Sequence, residues 1–596
     1  MSTRNLLLFL FSMPLFLFAC GGSDSSPAIE VPITAAEPPR ISFELDVESS
    51  VLSGMYMFNG QLAWQSAYRR GEVFIYANER EVPTYIGSTS ALEYSARLVH
   101  GEYDARYDYV QGEFIPVNED ALVNEGIDFN ADTYVDIDIP VVNVRPVITL
   151  NGGGFPNSVY ESGEIFLQSV SSGELISIGV TSNMPDSIWV VPGEYHVVYQ
   201  LYNGGDLVPI NSNARIASNI ALIEDGELIV DVQSSLLTAT FTHNGADFVS
   251  SPYAYANFFL VNSETQDEAY LGRSYHRPDG LNVINGSYHL EYRHVAGDFY
   301  PINAAKIVQK NIEHFSDAVY RFPVSSHSWQ VSLSLNGDAF PASVYHRGEI
   351  HLVDEETGSY SLLGASNSAL EPALILAGTY SLAYTHVQGN LVPQNTRAVV
   401  ASAVSILEAG TLELDIEAAI VATDVTLNGA AFPSDGAEIA SLLLEGSLTE
   451  APVVVATTDS QAESTTLVIL GDYDFRYRCE QCVSIPWNSH TDISSNVAIA
   501  GNTTLSHDLT SVRVDLSVTH NGEPFPASAY ESGHIWGGTQ ESEAFFFGRT
   551  HQFNEDIILI EGDYTLYYKY SNGGELVPIN EWIDIGQRSL LKSDEN

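Results

Sequence analysis

The chain has 596 residues, with 24 Lys and Arg against 76 Asp and Glu, and its formal net charge is −52. This excess of acid excludes a basic surface for nucleic acid phosphates or anionic lipid headgroups. The length implies several domains of about 100–150 residues. With 45% hydrophobic and only 17% charged residues, the chain has the composition of a folded protein. Its 3 cysteines are too few for a disulfide-built scaffold.

The first twenty residues have the pattern of an export signal. Arg4 is followed by a nearly continuous apolar stretch from Leu6 to Ala19, shorter than the roughly 20 residues that cross a bilayer. The stretch ends in Leu17-Phe18-Ala19-Cys20, which resembles a bacterial lipobox. The resemblance implies that residues 1–19 are removed and that Cys20 is lipidated on its thiol and anchors the protein. An ordinary cleaved signal with a chance cysteine is the alternative.

The residue after Cys20 predicts which membrane would hold the lipid anchor. By the same resemblance, Gly21 in place of Asp favours the bacterial outer membrane, with the periplasmic and cell-surface sides both open. Residues 20–40 are rich in Pro and small residues and are predicted to be an extended tether. No later apolar stretch reaches 18 residues, so no further membrane span is expected.

The rest of the chain consists of six tandem copies of one sequence repeat. Three markers recur at spacings of 91 to 93 residues: an Asn-Gly pair, a Gly-x-Tyr-x-apolar-x-Tyr segment and a Pro-x-Asn segment. The Asn-Gly pairs begin at Asn59, Asn151, Asn244, Asn336, Asn428 and Asn521. The first Tyr of each Gly-x-Tyr segment is Tyr103, Tyr195, Tyr288, Tyr380, Tyr473 or Tyr564, and the second is Tyr107, Tyr199, Tyr292, Tyr384, Tyr477 or Tyr568. The Asn of Pro-x-Asn is Asn118, Asn211, Asn303, Asn395, Asn488 or Asn580.

An Asp that precedes the Asn-Gly pair by 13 residues suggests where each unit begins. It is present in five copies, the first being Asp46, and Pro323 takes its place in the fourth. If each unit opens just before this Leu-Asp-Val-like strand, all six copies are complete. The predicted domains are then 41–131, 132–224, 225–316, 317–409, 410–501 and 502–596.

Each unit is predicted to be a β-sandwich. The Tyr residues alternate with apolar residues at period two, which places them on one face of a strand and predicts core packing with a bonded hydroxyl. Asn-Gly after an alternating run predicts a tight turn. Short strands with turn signals every 8–12 residues are typical of sandwiches. We therefore expect an all-β fold of six tandem sandwiches of about 92 residues in a rod-like array.

The segment Val191-Pro192-Gly193-Glu194-Tyr195-His196-Val197 resembles a strand of carboxypeptidase-regulatory-like and other prealbumin-like sandwiches. It is also similar to the strand that carries the tyrosine corner of Ig-like domains. The resemblance implies a sandwich of seven or eight strands. It implies no activity, because such modules occur in adhesins, receptors and enzyme accessories alike.

The Asn of Pro-x-Asn is the most distinctive polar residue, since all six copies contain it: Asn118, Asn211, Asn303, Asn395, Asn488 and Asn580. A ligand role is one interpretation. The other is a loop residue whose side chain bonds nearby backbone, as in an Asx-turn.

Cys479 and Cys482 are predicted to form a disulfide that locks one loop of the fifth unit. A redox motif or half a zinc site is the alternative, but the context is exported and all-β and no second Cys pair exists. Asp128-x-Asn130-x-Asp132 has the opening spacing of a calcium loop, but Thr133 and Ile139 stand where Gly and Glu are needed, which favours an acidic linker. We expect no dedicated metal site and no cofactor, although the acidic surface could bind Ca2+ weakly.

No nucleophile elbow, zinc-protease, P-loop or dinucleotide motif occurs, so no catalytic residue is predicted. The expected function is a lipid-anchored adhesion or interaction module of the cell surface that binds a glycan or a protein. A structural spacer without a ligand and an accessory protein in polysaccharide handling are the alternatives.

Overall fold

The computed structural model describes residues 37–77, 82–249, 251–275, 280–433, 438–447, 449–461, 464–538, 544–553 and 557–591. The predicted signal, Cys20 and most of the predicted tether lie outside these residues. The described chain is almost entirely β-strand, with one 3-10 turn at Thr89–Ala91. The prediction of an all-β fold of tandem sandwiches is confirmed.

The chain forms six sandwiches, numbered here in chain order. The first strand, β1, spans Arg40–Val47. Sandwich 1 contains β2 Ser49–Phe58, β3 Gln61–Leu62, β4 Arg70–Ala77, β5 Thr84–Ser88, β6 Glu93–Val99, β7 Gly101–Gln111, β8 Ala121–Phe129, β9 Thr133–Tyr134 and β10 Ile137–Ile139. Sandwich 2 contains β11 Val142–Leu150, β12 Ser162–Ser169, β13 Leu175–Val180, β14 Ile188–Val190, β15 Gly193–Asn203, β16 Asn211–Ser212, β17 Ala214–Leu222 and β18 Gly226–Val232.

The next two sandwiches repeat this order. Sandwich 3 contains β19 Ser234–His243, β20 Ala246–Asp247, β21 Tyr255–Asn262, β22 Glu268–Arg273, β23 Leu281–Ile284, β24 Gly286–Ala296, β25 Lys306–His314 and β26 Ala318–Val324. Sandwich 4 contains β27 Ser326–Leu335, β28 Arg347–Asp354, β29 Tyr360–Ala365, β30 Ala373–Leu376, β31 Gly378–Gln388, β32 Ala398–Ile406 and β33 Gly410–Ile416.

Sandwich 5 keeps this order, and sandwich 6 differs in its final strand. Sandwich 5 contains β34 Ala418–Leu427, β35 Ala430–Ala431, β36 Ile439–Glu445, β37 Val453–Thr457, β38 Thr465–Ile469, β39 Gly471–Gln481, β40 Thr491–Ile499 and β41 Thr503–Leu509. Sandwich 6 contains β42 Ser511–His520, β43 Glu523–Pro524, β44 Ser532–Gly538, β45 Phe545–Arg549, β46 Gln552–Phe553, β47 Ile557–Ile560, β48 Gly562–Asn572 and β49 Ile583–Leu590.

Sandwich 2 shows how each unit is built. One sheet has the order β14-β11-β18, and the other has the order β13-β12-β15-β17. The inner faces bury alternate residues, such as Ile165 and Leu167 on β12 and Tyr195, Val197 and Tyr199 on β15, in one apolar core. This is the period-two burial that the sequence predicts for strands with one face against a core.

In sandwiches 1 to 5 the last strand pairs in parallel with the first strand of the same unit. In sandwich 2 the register runs from Val144 opposite Gly226 to Leu150 opposite Val232. The predicted boundaries near 132, 225, 317, 410 and 502 each fall just before this closing strand. The hydrogen-bonded unit is therefore shifted by one strand relative to the predicted domain and ends with the Leu-Asp-Val-like segment instead of starting with it.

This pairing explains the Asp that precedes each Asn-Gly pair. Asp231 ends the closing strand of sandwich 2, and its Oδ1 accepts a hydrogen bond of 2.9 Å from the backbone N of Gly152 in the turn of the same sandwich. The contact recurs in sandwiches 1, 4, 5 and 6, through Asp138, Asp415, Asp508 and Asp46. The Asn and the Gly of every pair have positive φ, with φ 50° at Asn151 and 75° at Gly152, which confirms the predicted tight turn.

Sandwich 6 takes its closing strand from the other end of the chain. β1 pairs in parallel with β42 over eight positions, from Arg40 opposite Arg513 to Val47 opposite His520. Leu45 and Val47 are buried in an apolar core that is continuous between sandwiches 1 and 6. Asp46 caps the Asn-Gly turn of sandwich 6, which begins at Asn521.

The six sandwiches therefore form a closed ring, and the predicted rod-like array is wrong. A rod leaves its two end units far apart, whereas here the first strand completes the last unit. The six junctions make equivalent hydrogen bonds, described below, so successive sandwiches are related by similar rotations of about 60°. Equivalent residues of the six units consequently lie on circles around one axis.

Candidate functional site: junction asparagines and a circle of exposed tyrosines

The six predicted Asn positions are all buried, with at most 2% of each residue exposed. Each side chain reaches across a junction to the next sandwich. Nδ2 donates to the hydroxyl of the first Gly-x-Tyr tyrosine of that sandwich, and Oδ1 accepts from a backbone N four residues before that tyrosine. The Asn–Tyr pairs are Asn118–Tyr195 at 2.9 Å, Asn211–Tyr288 at 3.2 Å, Asn303–Tyr380 at 3.0 Å, Asn395–Tyr473 at 2.9 Å, Asn488–Tyr564 at 2.8 Å and Asn580–Tyr103 at 2.9 Å.

These asparagines join neighbouring sandwiches, and the Oδ1 and Nδ2 of each side chain are both engaged in doing so. The backbone of the preceding residue adds a further bond, as in Val117 N to Trp189 O at 2.9 Å, and all six junctions repeat it. The Asn of each Asn-Gly pair also crosses to the next sandwich: Asn151 Oδ1 accepts from Ser234 N at 2.9 Å, and Asn521 Oδ1 accepts from Ser49 N at 2.8 Å. The predicted bonding of Asn to nearby backbone is present, but that backbone belongs to the neighbouring unit.

The tyrosines fill the cores, as predicted. Each first tyrosine donates its hydroxyl to the carbonyl four residues before it, as Tyr195 does to Val191 at 2.6 Å. Each second tyrosine donates to the carbonyl of the Pro in Pro-x-Asn, as Tyr199 does to Pro209 at 2.8 Å. Burial raises the pKa of Tyr564 to about 12, while the hydrogen bond from Asn488 acts in the opposite direction. These hydroxyls therefore stay protonated and serve the fold.

Other residues singled out in the sequence have structural contacts. Cys479 and Cys482 form a disulfide at the end of β39. Asp132, the last residue of the segment with calcium-loop spacing, accepts a hydrogen bond of 2.9 Å at Oδ1 from the backbone N of Val51 on β2. Its carboxylate thus bonds to a strand of sandwich 1. Among the described residues no group of three or more His, Cys, Asp or Glu side chains is arranged to hold a metal ion. In the same residues no helix is long and apolar enough to span a membrane.

A second set of repeated residues is exposed and was not predicted. Nine residues after the Asn of each Asn-Gly pair, five of the six units present a tyrosine with 73–87% of its surface exposed. We call these five residues the tyrosine circle: Tyr68, Tyr160, Tyr253, Tyr345 and Tyr530. The ring closure places them at equivalent positions around one axis. The matching position of sandwich 5 is Ala437 in the sequence, outside the described residues.

The loop that carries each tyrosine is held in one conformation by hydrogen bonds. The backbone N of the tyrosine donates to the hydroxyl of a serine two residues earlier, as Tyr160 does to Ser158 at 3.2 Å, and all five members repeat this bond. In sandwiches 1, 2, 4 and 6 the carbonyl before the tyrosine accepts from a side chain at the end of the adjacent strand. Asn203 Nδ2 donates to Val159 O at 3.0 Å, and Gln111 Nε2 donates to Ala67 O at 2.5 Å. The tyrosine is thus presented on a pre-organised loop.

An exposed apolar side chain accompanies each tyrosine of the circle. It lies two residues before the Pro of Pro-x-Asn and is exposed by 44–74%, although the next residue is buried. The five are Phe114, Leu207, Phe299, Leu391 and Leu576.

The loop of this side chain is tied to the tyrosine loop in sandwiches 2 and 6. Glu161, next to Tyr160, accepts from the N of Gly205 at 3.1 Å and the N of Leu207 at 3.0 Å, and Glu531 does the same for Gly574 and Leu576. A Cβ on Gly204 would lie 2.4 Å from the carbonyl oxygen of Tyr160, so the two loops pack backbone against backbone there.

Sandwich 5 lacks both members of the pair. Its tyrosine position is Ala437, and Ser484 stands where the other units have Phe or Leu. The same loop carries the Cys479–Cys482 disulfide. Since sandwich 5 has the same strands and junctions as the others, the fold does not require the tyrosine or its apolar neighbour.

Clefts of another kind lie at the junctions. They include a cleft of about 320 Å³ beside Asn118 and Tyr195, one of about 710 Å³ beside Tyr288 and Arg293, and one of about 660 Å³ beside His490 and Tyr564. Each is lined by a different set of polar residues. They differ from the tyrosine circle in having no repeated exposed aromatic residue.

No family model matches the sequence, and no curated protein matches it either. Several solved structures align with parts of it. The Bacillus anthracis TIE protein aligns over 58% of this chain and 68% of its own, with 11% identity and a TM-score of 0.14. Two B repeat units of the collagen binding protein of Staphylococcus aureus align over 62% and 98%, with 11% identity and a TM-score of 0.13. The RrgB pilus protein of Streptococcus pneumoniae aligns over 57% and 91%, with 9% identity and a TM-score of 0.11.

The sequence does contain a signal for the tyrosine circle. Ser-x-Tyr occurs at Ser66, Ser158, Ser251, Ser343 and Ser528, in register with the Asn-Gly pairs. The three markers that define the repeat are residues that the fold needs in every copy. The Ser-x-Tyr segment is not among them, because it is absent from one copy.

Proposed function

We propose that this protein is an exported, lipid-anchored adhesion or interaction module that binds its partner through the tyrosine circle. The observation that carries the proposal is the exposure of a tyrosine on a rigid loop in five units of a closed ring, in a fold that does not need it. Tyrosine is favoured at recognition surfaces because it offers a large amphipathic surface at a small cost in conformational entropy. Anchoring through Cys20 to the outer membrane and export by residues 1–19 are part of the proposal. No catalytic activity is assigned.

The ring argues against the structural-spacer alternative. A spacer gains length from each added unit, whereas closing six units into a ring brings the first and last together and gives up that length. What a ring provides is the presentation of equivalent loops toward the same side at regular intervals. Weak individual contacts then add up, because the second and later contacts form at a high effective concentration.

The experiment compares two variants of the purified full chain with the native protein on immobilised glycans and extracellular proteins. In the test variant all five tyrosines of the circle are replaced by alanine, as sandwich 5 has at position 437. In the control variant Ile223, Phe315 and Leu407 are replaced by serine; these side chains are 60–70% exposed in the turns just before β18, β26 and β33. These turns lie at the start of the closing strands, whereas the Asn-Gly turns are capped by the other end of the same strands. The control substitutions and the Asn-Gly turns are therefore at opposite ends of the closing strands.

The expected result is that native protein and control bind at least one surface equally and that the five-tyrosine variant has lost that binding. Folding is checked by circular dichroism and by the urea midpoint, which exposed substitutions should leave unchanged. Retention of all binding by the five-tyrosine variant would overturn the proposal. So would a native protein that binds none of the surfaces.

A further inference from the structure

We infer that the tyrosine circle binds an uncharged polysaccharide, whose sugar rings stack on the exposed tyrosine faces. This inference rests on the function proposed above and names the class of partner for the same site. It follows from four properties of the circle: the type of side chain, the absence of an enclosing pocket around it, its repetition and the charge of the protein.

The exposed side chains are aromatic faces with an apolar neighbour. A tyrosine with more than 70% of its surface exposed can take a flat ligand on its ring, and the phenol hydroxyl can bond a ligand oxygen at the edge. The accompanying Leu or Phe, 44–74% exposed, extends the apolar surface on the adjacent loop. The carbon-bound hydrogens of a sugar ring offer a matching apolar face, and its hydroxyl groups remain in water at the edges.

The circle has no enclosing pocket among the described residues. Clefts of about 320–710 Å³ lie at three junctions, and one of about 550 Å³ lies beside β1 and β42 of sandwich 6; none of these four is lined by a tyrosine of the circle. Each tyrosine is a platform, and a platform suits a ligand that is itself extended and lies across the surface. Protein partners are usually held by hot-spot residues clustered near the centre of one interface, whereas these tyrosines are distributed one to a sandwich.

The repetition of the exposed tyrosine around the ring also favours a polysaccharide. The five platforms are chemically alike and related by the repeat of the ring, so the matching partner presents the same group many times. A polymer of identical sugars meets this requirement, whereas a folded protein surface offers a unique patch to one unit. One stacked sugar binds weakly, and simultaneous engagement of several platforms raises the apparent affinity by about 10²–10⁴-fold.

The charge of the protein selects among polymers and against membranes. With a net charge of −52, the surface repels uronic acid, sulfate and phosphate groups and anionic lipids at low and moderate salt. The carboxylates nearest two of the tyrosines, on Glu161 and Glu531, are already bonded to backbone N–H groups of the adjacent loop. Between anionic and uncharged chains, the uncharged chain is the one that this surface can approach without repulsion.

The test measures binding of the full chain to soluble xyloglucan, laminarin and dextran, with alginate as the anionic polysaccharide. Vesicles of phosphatidylcholine and of phosphatidylglycerol, and immobilised collagen and fibronectin, cover the other classes of partner. The variants are the five-tyrosine alanine variant, the same five positions as phenylalanine, the same five as leucine, and the Ile223, Phe315 and Leu407 serine control.

We expect the native protein to bind at least one neutral polysaccharide and to bind alginate more weakly. The alanine and leucine variants should lose about 100-fold or more in apparent affinity, because both lack an aromatic face. The phenylalanine variant and the serine control should stay within a few-fold of native. Tyr160→Ala alone should weaken binding only a few-fold, because four platforms remain.

Several outcomes would overturn this inference without touching the proposed function. One is tyrosine-dependent binding to collagen, fibronectin or vesicles with no binding to any neutral polysaccharide. Another is a leucine variant that binds a polysaccharide as tightly as native, since stacking would then not be the contact. A third is stronger binding to alginate than to the neutral chains. Loss of the proposed function itself would appear as binding that none of the tyrosine variants changes.

Discussion

Asn580 donates a hydrogen bond of 2.9 Å to the hydroxyl of Tyr103, which lies 477 residues earlier in the chain. Its Oδ1 accepts from the backbone N of Val99 at 2.8 Å. At the other five junctions the same contact joins consecutive units, which are also linked by the chain. Here alone the closing strand is not continuous in sequence with the rest of its own sandwich: β1 runs on through Glu48 into β2 of sandwich 1 and reaches sandwich 6 only by pairing with β42. The Asn580 contact and the backbone bond from Ile579 N to Arg97 O therefore span the seam of the ring together with that pairing.

Replacing Asn580 by alanine should loosen the seam. The substitution leaves the buried N–H of Val99 without its acceptor, which costs about 1–3 kcal/mol. Native-state hydrogen exchange of the Val99 amide should accelerate accordingly, by about 5-fold to 150-fold. Asn157→Ala, at an exposed position, is the control and should leave this exchange rate unchanged. An unchanged rate in Asn580→Ala would mean that the seam does not depend on this side chain.

Ring closure predicts a specific cross-link. Ser42 on β1 lies directly opposite Asp515 on β42 in the parallel register. The double variant Ser42→Cys, Asp515→Cys should therefore form an intramolecular disulfide on mild oxidation, identified by mass spectrometry of the joined peptides. The control pair is Ser42→Cys with Gln330→Cys, which is the equivalent position in sandwich 4 and should not link. A cross-link between two chains instead of within one would contradict a ring closed by its own first strand.

The junction between sandwiches 3 and 4 contains a buried ion pair. Lys306 Nζ lies 2.7 Å from Asp354 Oδ2, with 9% and 2% of the two side chains exposed. Lys306→Met leaves the carboxylate buried without its cation and should destabilise the protein by about 3–5 kcal/mol. Combining it with Asp354→Asn should recover part of that loss, as measured by urea unfolding in a double-mutant cycle.

The matched control for that pair is the exposed ion pair of Arg145 and Glu227, at 3.0 Å. Arg145→Met should change stability by less than about 1 kcal/mol, because water screens the exposed charges. Equal effects at both pairs would mean that burial of Lys306 and Asp354 is not what makes their contact matter.

Stability should fall as the pH rises through the titration of Glu174, at the junction of sandwiches 1 and 2. Burial, followed by the nearby carboxylates of Glu119 and Asp120, raises the pKa of Glu174 from 4.5 to about 7. Between these values the folded protein holds a proton that the unfolded chain releases. The stability contributed by this group is therefore complete below about pH 4.5 and is lost as the pH approaches and passes 7.

Glu174→Gln removes this titration. The variant should be more stable than the native protein at pH 8, and its unfolding free energy should change less between pH 5 and pH 8. Glu408→Gln, at an exposed position in a turn of sandwich 4, is the control and should follow the native curve. If the unfolding free energies of the native protein and of Glu174→Gln change by the same amount between pH 5 and pH 8, the assignment is contradicted.

Much of the fold was accessible from the sequence because it depends on local chemistry. Asn-Gly predicts a turn with two positive φ values, and alternation around Tyr195 and Tyr199 predicts a buried strand face; both are present. Ring closure was not predicted, because the Leu-Asp-Val-like segment around Asp46 was assigned to the unit that follows it. What such a segment pairs with is a long-range question that periodicity does not answer.

The sequence nevertheless contained the clue. Asp46 has the same spacing to the first Asn-Gly pair as Asp138 has to the second, so the two belong to the same kind of strand, and both cap an Asn-Gly turn. The role of Asn118 and its counterparts was harder to find, because a residue that recurs in every copy is equally expected of a ligand site and of a junction.

The origin of β1 also determines the order in which the ring can be completed. Arg40–Val47 is made before any sandwich, yet its partner Ser511–His520 is made last, so the first strand synthesised must wait for nearly the whole chain. Sandwiches 1 to 5 contain all their own strands and can form in turn as they emerge. Joining segments this far apart in sequence carries a larger loop-closure entropy than any other strand pairing in the described chain, so we expect the seam to form last. Until β1 pairs with β42, the ring is open: sandwiches 1 to 5 contain all their strands, and sandwich 6 lacks its closing strand.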